Sequence, residues 1–142
     1  MKQRIDAVVR AFETLTPESV DRLGEVYATD ARFTDPFNEV QGIAEIQRIF
    51  RHMYQSLEAP RFEVHARLLD GDQCFLTWDF SFCFRSFHRG KIQTVRGSSH
   101  LAFNRDGLVC MHRDYWDAAQ ELYEKMPVVG SAMRWLRRRA NS

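Results

Sequence analysis

The chain is poor in cysteine and proline and has no long apolar run. Cys74, Cys83 and Cys110 are its only cysteines, an odd number with no CxxC spacing. That pattern argues against a disulfide framework and a structural zinc site, and it fits a reducing, cytoplasmic setting. No window offers the ~18 apolar residues that a membrane span needs. The opening residues, MKQRIDAVVR, hold no continuous apolar stretch, so no secretory signal is expected. Neither sign of charge dominates: 20 Lys and Arg stand against 19 Asp and Glu, a formal charge of +1. Such a balance does not mark an electrostatic nucleic-acid binder. HExxH, phosphate-loop and GxSxG patterns are missing, so metal, nucleotide and serine-hydrolase chemistry have no motif behind them. His52, His65, His88 and His100 lie in no ligand spacing and read as surface or structural residues.

What is present is apolar and aromatic. Hydrophobic residues make up 44% and aromatics 13%, with 11 phenylalanines. A chain of 142 residues with that content is read as one domain over 1–142. Residues 118–139 read as a C-terminal helical extension. So much Phe favours a sheet-rich core or a lined cavity.

Periodicity gives the order of elements. Ile5, Val8, Val9 and Phe12 recur at helical spacing. Thr16-Pro17-Glu18 reads as a cap, a proline and an acid opening a second, short helix, with Val20, Leu23, Val26 and Tyr27 on its face. A short extended segment follows. Then Gly42 precedes a third helix carrying Ile43, Ile46, Phe50, Met53 and Leu57, stopped by Ala59-Pro60. From there the period is two: Phe62, Val64, Ala66 and Leu68 alternate with polar residues. After the Asp70-Gly71-Asp72 turn, Trp78, Phe80, Phe82 and Phe84 share one face, with Thr77, Asp79, Ser81 and Cys83 on the other. His88 to Lys91 turns the chain into a strand from Ile92 to Asn104. Arg105-Asp106-Gly107 leads to a last strand from Leu108 to Asp117. The tail returns to helix with Leu122, Tyr123 and Met126, breaks at Pro127, and continues with Val129, Ala132, Met133 and Leu136. Helices followed by an antiparallel meander spell an α+β domain. Strands this long, covered on one side, are expected to curl into a cone with an interior.

The segment RFTDPFNEV poses the functional question. Read as extended chain, Phe33, Asp35 and Phe37 point the same way, which would carry a carboxylate inward. Asp35 is therefore either a turn former, since Asp-Pro opens turns, or a base in an apolar wall. On the last strand His112, Asp114 and Trp116 share a parity. They read as polar anchors of a ligand site or as a structural His–Asp pair. The stripe from Trp78 to Phe84 serves as core packing, as a pocket lining, or as both.

The element order, the VYATDARFTDPF run and the HLAFNRDGLVCMHRDYWD hairpin are similar to the nuclear transport factor 2-like superfamily. The likeness is greatest to its SnoaL-like and ketosteroid-isomerase-like branches. The resemblance implies a cone-shaped curved antiparallel sheet with N-terminal helices over its concave face and a C-terminal helix. This scaffold hosts isomerases, cyclases, dehydratases, epoxide hydrolases and non-catalytic binders. It puts Asp35 at the position of the isomerases' general base, in the Ala31-to-Pro36 context, and turns the His112 face inward. Ser99 stands where those enzymes carry an oxyanion-hole acid. Ala11 or Phe12 stands where their oxyanion tyrosine falls.

The expected function is therefore cofactor-independent isomerisation, cyclisation or dehydration of a small, mostly apolar molecule. Asp35 would take a proton alpha to a carbonyl, while His112 and Asp114 orient the substrate or return the proton. Phe33, Phe37, Phe50, Tyr54 and Trp78 are expected to line the pocket, joined by Phe80, Phe82, Ser99 and Trp116. The alternative is a catalytically silent ligand-binding or interaction module. A homodimer through the outer sheet face is expected, and no metal. The tail, with Arg134, Arg137, Arg138 and Arg139, reads as a solvated helix face. Contact with a membrane surface or an acidic partner is the other reading.

Overall fold

Ile5, Val8, Val9 and Phe12 form the buried stripe of the first helix, α1, Lys2–Glu13, as their spacing predicts. The computed structural model describes residues 1–86, 89–122 and 129–141, and for 129–133 the backbone alone. After α1 come a short 3-10 helix, Ser19–Glu25, strands β1 (Tyr27–Thr34) and β2 (Glu39–Gln41), and α2 (Ile43–Ser56). Four longer strands follow: β3 (Leu57–Asp70), β4 (Gln73–Phe84), β5 (Gln93–Phe103) and β6 (Val109–Tyr115). A short α3 (Ala118–Glu121) and α4 (Val129–Asn141) close the described chain.

The six strands form one curved, unclosed sheet in the order β2-β1-β6-β5-β4-β3. The mixed α+β class expected from the sequence is what is seen. The sheet is not wholly antiparallel, however: β1 lies parallel to β6, with Phe33 opposite His112. The chain thus brings its first strand back beside its last, and residues far apart in sequence meet on the concave face.

Irregularities bend the strands. Register shifts interrupt β3 between Glu58 and Arg61 and again between Val64 and Ala66. Bulges of this kind add local twist and bend the strand that carries them. They also correct two expectations. Ala59-Pro60 does not stop α2, which ends at Ser56. The pair sits inside β3 at the first irregularity, where Ala59 takes a positive φ of 49° and a proline N–H is not missed by the ladder. The alternation through Phe62 and Val64 then fails, because the second bulge reverses the faces. Leu68 is 67% exposed, whereas Arg67 lies opposite Leu76 and pairs with Asp6 of α1.

Other boundaries also move. Tyr27 belongs to β1 rather than to the second helix. Ile92 is exposed ahead of β5, and β6 stops at Tyr115. His88, Tyr123, Met126 and Pro127 lie outside the described residues, as do the side chains of Val129, Ala132 and Met133. In α4, Trp135 and Leu136 are exposed.

Candidate functional site

The concave face and α1 and α2 enclose a cavity of about 400 Å³. Its walls are mostly rings. The β4 stripe supplies Phe80, Phe82 and Phe84, with centroid spacings of 5.3 Å and 5.1 Å between neighbours. Phe62 of β3 lies tilted against Phe80 at a centroid distance of 4.5 Å, while Phe12 and Phe50 enter from the two helices. The stripe is thus both core and lining, and it leaves room. One backbone position makes this arrangement possible. Gly97 of β5 lies opposite Trp78, and a Cβ there would meet the indole, 2.8 Å from Cζ2.

A chain of polar groups crosses the cavity floor. Trp78 Nε1 donates to Ser99 Oγ (2.9 Å), and Ser99 Oγ donates to Asp114 Oδ1 (2.5 Å). His112 Nε2 lies 2.6 Å from the same Oδ1, and His112 Nδ1 lies 2.5 Å from the Tyr27 hydroxyl. An ionised carboxylate only accepts, so Nε2 is the donor toward Oδ1, and in the neutral imidazole Nδ1 is then an acceptor. Tyr27 is buried and its hydroxyl has no other partner among the described residues, so it donates to Nδ1. Burial, and then the negative charge of Asp114, push the Tyr27 phenol well above its ordinary range, which keeps it a donor. Every donor in the chain therefore points toward Asp114. Both of the carboxylate's hydrogen bonds fall on Oδ1, leaving Oδ2 without a protein partner among the described residues.

Asp35 has different surroundings. The strand ends at Thr34, and residues 35–38 form the loop of a hairpin closed by the Thr34–Glu39 pair. Asp35 Oδ1 accepts from the backbone N–H of Phe37 (2.8 Å) and of Asn38 (2.7 Å). The Asn38 side-chain amide approaches both carboxylate oxygens, at 3.1 Å and 3.2 Å. This is an Asx turn with Pro36 at its second position. Asp35 is half-buried and still lines the cavity. The extended reading of RFTDPFNEV does not hold past Thr34. Phe37 does not share a strand face with Phe33; it is 52% exposed and packs edge-on against Trp116 at 5.5 Å.

The fold brings together most of the residues singled out from the sequence. Phe33, Phe50, Trp78, Phe80 and Phe82 line the cavity. So do Ser99, His112, Asp114 and Trp116, with Asp35 and Phe37. Tyr54 is not among the lining residues. Ile49, His52, Met53 and Ser56 form the cavity side of α2, whereas Tyr54 follows Gln47 by two turns. Gln47 bonds the Val20 carbonyl of the 3-10 helix, so Tyr54 faces that way. Its phenol is pushed up by burial and then by Glu18, and its hydroxyl is buried without a partner among the described residues. Sequence reasoning missed Tyr27, Phe12, Phe62 and Gly97. The β-prone Val26-Tyr27-Ala28 run was the one signal that a strand begins there.

The comparisons agree with this architecture. A protein of unknown function with this fold from Burkholderia pseudomallei superposes with a TM-score of 0.73 at 16% identity, covering 84% of this chain and 95% of that one. A candidate SnoaL-like polyketide cyclase from Jannaschia sp. CCS1 gives 0.71 at 17% identity, covering 84% and 88%. An epoxide hydrolase of the LEH-like type from M. tuberculosis gives 0.66 at 15% identity, covering 84% of each chain. None of the curated proteins matches the sequence. At such identities the structural likeness shows the nuclear transport factor 2-like fold alone. The sequence itself matches the SnoaL-like domain over residues 8–112, and the chain belongs to that family.

Proposed function

We propose that the cavity binds one small, mostly apolar molecule and that Asp114 takes a proton from it. The reaction would be a cofactor-independent isomerisation, cyclisation or dehydration. The observation that carries this reading is the unpartnered Oδ2 of a carboxylate whose Oδ1 is held by Ser99 and His112. Two bonds on one oxygen fix the carboxylate's orientation. His112, held in one tautomer by Tyr27, is the positioning residue. Asp35, expected to be the base, instead shapes the hairpin that bears on the cavity, since its oxygens are engaged by the turn.

A second reading, a binding module without turnover, is favoured by one specific observation. Trp78, Ser99 and His112 direct their donors within the floor network, so none is left there to stabilise an oxyanion. A substrate would have to delocalise its own negative charge, as a β-dicarbonyl does.

Hydrogen–deuterium exchange separates the two. Cyclic enones are incubated in D2O with the protein and with Asp114→Asn, and C–H exchange is followed by NMR. Exchange catalysed by wild type and lost in the variant is the expected result. Equal rates with both proteins would remove Asp114 from the role of base.

A further inference from the structure

The cavity's charge and donor inventory specify the kind of molecule it holds. Two carboxylates, Asp35 and Asp114, line it. Among the described lining residues Arg48 is the single Lys or Arg, and its guanidinium is already paired with Glu45 at 2.8 Å. The floor offers an acceptor, Asp114 Oδ2, and no uncommitted donor. An anion would meet the two carboxylates and the ring faces, with neutral donors only from the α2 side, His52 and Ser56, and from the Asn38 amide. A cation would meet the opposite: two negative charges and aromatic faces that attract it.

We propose that the ligand is an organic cation, a protonated amine carried on an apolar body, with the ammonium in the field of Asp114 and Asp35 and the body against the phenylalanine walls. The inference rests on the reading of the cavity as a small-molecule site and applies whether or not turnover follows. Trp116 joins the two halves of the argument. It lines the cavity two positions beyond Asp114 and packs against Phe37, next to the Asp35 turn. Trp116 thus brings an indole, the best of the side-chain cation acceptors, to the part of the wall that holds both carboxylates.

Three probes of one shape test this: N,N-dimethylbenzylamine, which is protonated at pH 7, its neutral isostere isobutylbenzene, and the anion phenylacetate. Affinities are measured on the whole chain by calorimetry and by tryptophan fluorescence. The amine is expected to bind at least ~10-fold tighter than isobutylbenzene, with phenylacetate weakest. Asp114→Asn should erase most of the preference for the amine and Asp35→Asn part of it. Should Asp114→Asn fail to fold, the wild-type ranking and the Asp35→Asn affinities decide. Equal binding of amine and isobutylbenzene, or phenylacetate binding best, would overturn the cation proposal and leave the cavity reading standing. If none of the three binds, both go.

Discussion

The Tyr27 hydroxyl lies 2.5 Å from Nδ1 of His112, across 85 residues of sequence and between two parallel strands. The contact depends on the register shift in β1 between Tyr27 and Arg32. Tyr27 lies opposite Val109, three residues from His112, instead of the six that an unbroken register from the Phe33–His112 pair would give. In the neutral imidazole this contact leaves one donor, on Nε2, which goes to Asp114.

Tyr27→Phe should show this in the pH dependence of stability. Near neutral pH the variant leaves Nδ1 of a buried histidine unsatisfied, a cost of about 1–3 kcal/mol. In wild type the folded phenol's affinity for its proton is raised above that of the unfolded chain. Below the unfolded value of about 10 both states are protonated. Above it the unfolded chain releases a proton that the folded one keeps, so stability falls by about 1.4 kcal/mol per pH unit until the folded phenol also ionises. Phenylalanine has no such slope. Urea titrations at pH 8 and pH 10.5 should therefore find the wild-type advantage narrowing. A gap that stays constant or widens would contradict the assignment.

Asp35 should behave as a turn residue first. Asn can accept the same two backbone N–H bonds, so Asp35→Asn should stay within about 1 kcal/mol of wild type. Asp35→Ala removes the acceptor and should cost about 1–2 kcal/mol. Chemical denaturation of both variants checks the order. Asn as damaging as Ala would mean that the charge, rather than the turn geometry, is what the hairpin requires.

The sequence carried the fold class, the helical stripes and the parity of the long strands, because those depend on local periodicity. Alternation put Trp78, Phe80 and Phe82 on one face and His112, Asp114 and Trp116 on one parity, and the family resemblance turned the His112 face inward. What alternation cannot carry is irregularity. The bulge after Val64 that turns Leu68 outward has no sequence signature as strong as the pattern it breaks. The parallel pairing of β1 with β6 is a long-range choice, and with it came the Tyr27–His112 contact. Asp35 was ambiguous because an aspartate before proline suits a turn and a cavity wall equally. Hydrogen bonds to Phe37 and Asn38 decide its structural role.

Gly97→Ala should disturb the floor without touching a polar group. The added Cβ would collide with the Trp78 indole, which is buried and bonded through Nε1 to Ser99. Either the indole or the β4–β5 pairing must shift. Overpacking of this kind costs about 1–3 kcal/mol. Tryptophan emission should move as Trp78 leaves its site. An unchanged melting temperature and spectrum would show that the cavity can absorb the methyl and that Trp78 does not hold Ser99 in place.

The outer face of the sheet predicts the assembly, a homodimer. Phe75 of β4, with His100 of β5 and Tyr115 of β6, forms a ring cluster there, with centroids 5.8 Å and 6.2 Å from Phe75. The Arg113 guanidinium sits 5.2 Å over the Tyr115 ring. Tyr115 is 46% exposed, and Leu68 lies opposite Phe75 on β3. Tyrosine, phenylalanine and arginine are enriched at protein interfaces, and the neighbouring Thr77 and Asp79 would give a polar rim. Tyr115→Glu places a charge in the middle of this cluster and away from the cavity, since Tyr115 and Asp114 point to opposite faces. Light scattering should give a dimer mass for wild type at micromolar concentration and a monomer mass for the variant, with probe binding in the cavity unchanged. A wild-type monomer would leave the ring cluster without this role. A variant that stays dimeric would place the interface elsewhere on the molecule.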